Sequence, residues 1–466
     1  VNTAIELARR GLSVILLEAR RIGWGASGRN GGQLIRGIGH EVTGFARYVG
    51  QEGVKYLEQA GIDSVEVVRQ RISEHAIDCD LRWGFCELAN TPAQFAAFQA
   101  EQDSLVRLGY RHPTRLVAPQ DMQQVVASSV YAGGLVDMGS GHLHPLKLVL
   151  GEARLAASLG VRIFEQSPVL ELTHGESVKV RCATGTVTAG HLVLACNAHL
   201  EDLEPRLSGK VLPAGSYIIT TEPLAEARAR QLIPDNLALC DQKVGLDYYR
   251  LTADRRLLFG GACHYSGRDP ADIAGYMRPK MLKVFPQLQD VAIDFQWGGK
   301  IGITANRFPQ VGRLSQYPNV YYAQGYSGHG LNVTHWTARL LAEAIHAGHS
   351  RGLDVFSGVP HMTFPGGPGH HVVDLWRREN PPHAALGQEN RVIGLDWHQH
   401  RAGLVLQDTY DQEQVVVDPH PVPQLQRGPG GAQGLSHLMA DHRIDFVLIE
   451  VREKAPLTQL QAHGRR

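Results

Sequence analysis

The chain has 466 residues, 46 Lys plus Arg against 46 Asp plus Glu, and a hydrophobic fraction of 43%. Zero net charge excludes a general electrostatic attraction to nucleic acid or to an anionic membrane, and no apolar run is long enough to span a bilayer. The length asks for two domains or more. Six cysteines without a CxxC pair read as reduced thiols of a cytoplasmic protein and show no metal spacing.

Residues 1–10, VNTAIELARR, carry apolar side chains at Val1, Ala4, Ile5 and Ala8, which predicts a helix stopped by Gly11. Residues 12–17 read as a buried strand. The acid that ends it, Glu18, stands where a dinucleotide-binding unit keeps a carboxylate for ribose hydroxyls. Helix, tight turn and acid-ended strand make the second half of such a βαβ unit. Its opening strand and Gly-x-Gly-x-x-Gly turn are expected ahead of residue 1, which would leave the neighbouring strands of the sheet unpaired.

The most informative stretch is residues 18–33, EARRIGWGASGRNGGQ, with glycines at 23, 25, 28, 31 and 32. Glycine at that density lets a backbone approach a flat or charged ligand where any Cβ would collide. The same composition also makes an ordinary solvated loop.

Downstream, residues 40–71 predict a long helix. Strands at 81–88 and 135–138 flank a helix at 92–108, and Pro145 opens a helix running to 159. Strands follow at 161–164, 169–172, 178–182 and 191–194. A second β-rich region covers 211–221, 248–251, 257–259 and 293–297 around a helix at 274–285. The final unit is a strand at 320–323, the turn 324–330 and a helix at 331–347. In that turn, Gly325-Tyr326-Ser327-Gly328-His329-Gly330, a strand-to-helix junction exposes free N–H groups and a partial positive charge. Trp297, with Tyr248, Tyr249, Tyr265 and Tyr326, can wall a pocket or simply pack. Asp137 and Asp247 show no partner in the sequence, and His142 and His144 precede a helix. No nucleophile triad is readable from spacing.

Beyond Gly358 the character changes. The last 106 residues hold 10 of the 23 histidines, with Pro/Gly clusters and poor apolar periodicity. Composition predicts a disordered or aberrant tail at 359–466. Runs at 415–417 and 444–449 have strand character without a pattern that packs. The pair His370–His371 and the histidines at 398 and 400 lack a metal-binding spacing.

Four segments, ARRIGWGASGRNGGQ, GLVDMGSGHLHP, WGGKIGITANRFPQVGR and GYSGHG, resemble the FAD-dependent D-amino-acid-oxidase-like superfamily, and within it the gamma-glutamylputrescine oxidase group. The resemblance covers residues 1–367. It implies an α/β fold with an FAD-binding domain built from discontinuous segments (1–78, 139–205 and 304–358) and a mixed, mostly antiparallel substrate domain (79–138 and 206–303). It further implies that Glu18 holds the adenosine ribose and that Arg20 lies along the dinucleotide. Ser27, Asn30, Gly31, Gly32 and Gln33 would pass the pyrophosphate and isoalloxazine, and Val169 would meet the adenine. Gly325, Gly328, His329, Gly330 and Leu331 would address the flavin C2 carbonyl. Gln33, Tyr265, Trp297 and Tyr326 are the candidate catalytic residues.

Some relatives attach flavin through a cysteine in the strand near Lys300; the comparable position here is Gly302, so FAD is expected to be non-covalent. The arginine that grips a substrate carboxylate in amino-acid and sarcosine oxidases is replaced near the glycine loop by Gln33. That favours an amine without an α-carboxylate, oxidised with dioxygen to aldehyde, ammonia and hydrogen peroxide. Two other readings stay open: a dehydrogenase or demethylase of an N-methyl amine, and an inactive remnant without cofactor.

Overall fold

The computed structural model describes residues 1–39, 41–243, 245–265 and 269–364, and the backbone of Leu395–Asp396, Arg401–Ala402 and Ile444–Ile449. Its elements form two sheets. The first runs Gln310–Arg313, Val320–Gln324, Gly185–Leu194, Ile444–Ile449, Val14–Leu17, Arg162–Phe164, with a parallel centre; Val169–Thr173 and Val178–Cys182 form a hairpin joined to Gly185–Leu194. Val14–Leu17 is buried at all four positions, as a strand covered on both faces must be. Its alternate side chains serve two cores. Leu16 packs with Ile5, Leu57, Ala153 and Leu341 under the helices, and Ile15 and Leu17 pack with Val180, Leu192 and Leu194.

A buried charged network joins four helices on the first of these faces. Arg71 pairs with Glu6 and donates to Asn2 Oδ1 at 2.6 Å, and it lies 3.8 Å from Glu152. Glu152 Oε1 is 2.5 Å from His335 Nε2, and His335 Nδ1 is 2.8 Å from the Leu331 carbonyl. Nδ1 also lies 3.3 Å from the Asn2 amide nitrogen. The network therefore anchors the first turn of helix Gly330–Ala347 to helices Asn2–Ala8, Ala46–Glu74 and Pro145–Ser158.

The second sheet has nine strands in the order Ile293–Ile303, Leu212–Thr221, Leu257–His264, Asp247–Leu251, Ala238–Asp241, Arg82–Ala89, Gly133–His142, Gln33–Leu34, with Thr114–Val117 also on Gly133–His142. Every pairing is antiparallel except that of Ala238–Asp241 with Arg82–Ala89. Helices Glu226–Leu232 and Ile273–Val284 cover one face over Ile219, Tyr249, Phe259 and Phe285. The architecture is thus an α/β fold whose dinucleotide-binding-like part is discontinuous and whose second sheet is mixed and mostly antiparallel.

Several expectations change. The long helix begins at Ala46, after a 3-10 turn at Thr43–Phe45, and breaks at Gly50, where φ is +70°. Strands Thr114–Val117 and Ala238–Asp241 and helices Glu226–Leu232 and Arg351–Ser357 were too short for periodicity to reveal. The largest correction concerns residues 444–449. They do pack, between Val14–Leu17 and Gly185–Leu194, parallel to both, with Val447 opposite Ile15 and Leu192. The neighbouring strands are therefore not left unpaired. Two facing rows of buried N–H and C=O groups need a partner, and IDFVLI supplies β-branched and aromatic residues suited to one. The sequence that follows, EVREK, contains no glycine. Residues 415–417 and the histidines at 370, 371, 398 and 400 lie outside the described residues.

Candidate functional site

The carboxyl end of Val14–Leu17 delivers Glu18, 2% exposed, with its Oε1 accepting from Arg20 N at 2.7 Å. Residues 20–33 then cross toward the second sheet. Asn30 stiffens this passage: its Oδ1 accepts from Gly32 N at 2.8 Å, and its Nδ2 donates to Ala26 O and Ser27 O.

Packing within the chain gives several of these glycines a reason beside the expected approach to a ligand. A Cβ on Gly28 would collide with the Gly23 carbonyl, one on Gly31 with the Tyr248 ring, and one on Gly32, where φ is +73°, with the Leu143 carbonyl. Close packing of the chain on itself demands them. The loop is clamped onto the second sheet from several sides. Gln33 Nε2 donates to Leu239 O at 2.8 Å, and Arg250 Nε to Gly31 O at 2.7 Å. Trp297 Nε1 donates to Arg29 O at 2.9 Å, while Arg29 reaches Trp24 O at 2.6 Å and Gly298 O at 3.2 Å.

The second junction meets the first sheet's strand ends. Gly325 N donates to Asn197 Oδ1 at 2.8 Å, and Ser327 N to Gly302 O at 2.9 Å, so this turn is tied to the long strand Ile293–Ile303. At Gly328 φ is +96° and the space a Cβ would fill is open. No side chain caps helix Gly330–Ala347, which leaves its first N–H groups and positive end for something outside the helix. His329 at its start is half-buried, and desolvation pushes its imidazole below the ordinary value.

The sequence-predicted aromatics part company. Trp297 and Tyr248 stand at the glycine loop. Tyr326 lies in the core between the first sheet and its helices with its hydroxyl 3.2 Å from Thr337 Oγ1, and Tyr249 lies in the core of the second sheet, hydroxyl to hydroxyl with Tyr131 at 2.9 Å. Tyr265 follows Leu257–His264, and burial raises its phenol. Val169 is fully buried opposite Cys182.

Asp137 and Asp247 do have partners. Asp137 accepts from Tyr110 at 2.6 Å and Ser140 at 2.7 Å and lies 3.2 Å from Arg36; Asp247 is 2.7 Å from Lys243. His142 is 2% exposed, not a surface residue. Arg29 and Arg250 are the residues that reading the sequence missed. Arg29 lay in plain view within GRNGG, whereas Arg250, in a strand 219 residues from Gly31, gave no signal. Among the described residues no His/Cys/Asp/Glu group is arranged to hold a metal, and no helix is long and apolar enough to cross a membrane.

A strand-end carboxylate, a tightly clamped loop and an uncapped helix start fit a dinucleotide cofactor laid along the edge of the first sheet. The family model for FAD dependent oxidoreductase matches residues 1–344. The chain belongs to this family. It is 42% identical over 368 residues to gamma-glutamylputrescine oxidoreductase of Escherichia coli K12, covering 79% of this chain and 85% of that one. It is 39% identical over 373 residues to a probable oxidoreductase OrdL of Haemophilus influenzae, with the same two coverages. Among solved structures, glycine oxidase from Geobacillus kaustophilus matches with a TM-score of 0.65 at 21% identity, over 78% of this chain and 95% of that one. That likeness speaks for the fold. As a member of the family, the protein is an FAD-dependent oxidoreductase that oxidises a substrate of the amine class, with FAD held non-covalently.

Proposed function

We propose that this oxidoreductase acts on a primary amine whose reacting carbon bears no carboxylate, a polyamine-derived amine of the gamma-glutamylputrescine type, with dioxygen as electron acceptor. The observation that carries the reading is the identity to gamma-glutamylputrescine oxidoreductase across most of both chains. The use of Gln33 supports it: its amide is spent on the backbone of the second sheet, and no arginine stands in its place to grip an α-carboxylate.

In this reading Glu18 holds the adenosine ribose, residues 30–33 line the ring system, and the open N–H groups of helix Gly330–Ala347 face the flavin C2 carbonyl. Bound FAD supplies a two-electron acceptor that dioxygen reoxidises. The amine must arrive neutral, since only a free lone pair on nitrogen can support loss of hydride from the α-carbon. Tyr248, whose phenol burial pushes far above its ordinary value, stays protonated and serves as wall rather than base. Trp297, fixed by its bond to Arg29 O, excludes water from the same region. The balance is R–CH2–NH2 plus O2 and H2O to R–CHO, NH3 and H2O2, the free imine hydrolysing after release.

The test is to load the purified chain with FAD and add gamma-glutamylputrescine without oxygen. Bleaching of the visible flavin band, then one peroxide and one ammonia per substrate on admitting air, is the expected result. Bleaching only by N-methyl amines, with formaldehyde released, would favour the demethylase reading. Loaded flavin that no primary amine bleaches would overturn the proposal, and a chain that takes up no FAD would be a remnant.

A further inference from the structure

A cavity of about 720 Å³ opens at the end of the second sheet, between residues 77–82, helix Glu226–Leu232 and the turn at residues 251–255. That is the size of a small-ligand site. Neither Glu18, Trp297, Tyr265, Tyr326 nor the turn at 325–331 lines it, so it is separate from the cofactor edge.

Its charges do not cancel. Asp80 on the wall is paired with Lys147 at 2.8 Å, and Glu226 with Arg230 at 2.8 Å. Asp78 then remains against Arg82, Arg250 and Arg255. Arg82 and Arg255 are exposed, while Arg250 is only 5% exposed. Arg250 forms no salt bridge: Nε goes to Gly31 O, Nη1 to Leu251 O at 3.2 Å, and Nη2 makes no hydrogen bond among the described residues, while Asp80 acts on it only from farther off. Burial pushes its guanidinium down to about 10, still a cation at neutral pH.

A buried cation with no anion in direct contact is costly, and this one lies on the wall of a ligand-sized space. His142, on the same wall, adds an unsatisfied group. Its Nε2 lies 2.9 Å from the Asn236 carbonyl, while Nδ1 has no partner among the described residues. Burial first, then Arg250, pushes His142 down to about 4, so it is neutral and does not share the positive charge.

We infer that this cavity is a second binding site, for a small dicarboxylate, with one carboxylate on Arg250 and the other toward Arg82 and Arg255 at the rim. A compact phosphate dianion suits it less, because one small anion cannot meet both Arg250 on the buried wall and Arg82 and Arg255 at the rim. Through Nε of Arg250 the site touches the Gly31 carbonyl, so occupancy bears directly on the loop proposed to seat the flavin.

The test is calorimetric titration of the full chain with succinate, before and after loading with FAD, with phosphate and 1,5-diaminopentane as comparison ligands. Saturable one-to-one binding of succinate is expected, with phosphate weaker and no binding of the diamine at this site. Arg250→Lys should weaken succinate roughly tenfold, since an ammonium cannot pair with a carboxylate through two parallel N–H bonds. Arg82→Gln, at an exposed position, should weaken it by a smaller factor. Succinate should also change the rate at which FAD leaves the protein. No saturable binding overturns the site, as does binding that is unchanged in Arg82→Gln and Arg250→Lys alike. If Arg250→Lys fails to fold, an unchanged affinity in Arg82→Gln combined with Arg255→Gln overturns it. Competition between succinate and an amine substrate would place the anion in the amine pocket instead and equally sink the inference.

Discussion

The two sheets are closed in different ways. The second takes all nine of its strands from residues 33–303, and three of its eight pairings join strands consecutive in the chain. The first is bridged at its centre by Ile444–Ile449, which joins the acid-ended strand to Gly185–Leu194. Disturbing a strand at either end of the second sheet costs that sheet an edge. A sheet whose centre comes from afar loses its continuity, and with it the edge on which the cofactor is proposed to lie. Long-range closure also carries the greater ordering cost.

The sharpest way to break this contrast is Val447→Pro. A proline between two parallel neighbours removes a ladder donor where nothing replaces it. We expect this pairing to be lost, read as a lower melting temperature and as release of FAD on gel filtration. The second sheet should keep its own unfolding transition. A single unchanged transition with FAD retained would mean that the first sheet does not depend on this strand.

Next in size is the network beneath the same sheet. Arg71→Ala leaves Glu6 to more exposed partners at the helix surface, Arg10 the nearest, and Glu152 to His335, and should cost up to about 3–5 kcal/mol. Glu152 also sets an acid limit. Burial alone would raise its carboxyl, but His335 and Arg71 outweigh that and hold it below the ordinary 4.5. A depressed folded-state value gives stability that is present above the unfolded value and lost as pH falls through the folded one. The first sheet should therefore weaken below about pH 4.5, and Glu152→Gln should flatten that part of the pH–stability curve while lowering stability at pH 7.

What the sequence made legible follows the same division. Apolar runs and their punctuation sufficed for Val14–Leu17 with its terminal acid, for helix Pro145–Ser158 and for the junction before Gly330–Ala347, because each is encoded in adjacent residues. Residues 444–449 had strand composition but no visible destination, since a partner lying hundreds of residues away leaves no local periodicity. The glycines of residues 23–33 were conspicuous, but their cause was not: Gly31 answers to Tyr248 and Gly32 to Leu143, contacts that exist only after the two sheets meet. Arg250 was invisible for the same reason.

Gly31→Ala tests that meeting point with the smallest expected effect. The new methyl would enter the space of the Tyr248 ring, so either the loop or the ring must move, at a cost of about 1–3 kcal/mol. If the loop yields, the Arg250-to-Gly31 bond lengthens and FAD affinity falls with little change in the melting of the second sheet. If the ring yields, FAD affinity holds and the second sheet melts earlier. Adding Tyr248→Ala removes the obstacle and should restore the Gly31→Ala loop, though not the wall that Tyr248 provides. FAD affinity should then recover while amine turnover does not. A double variant as weak in FAD as Gly31→Ala alone would show that Gly31 is required by the ligand rather than by the sheet.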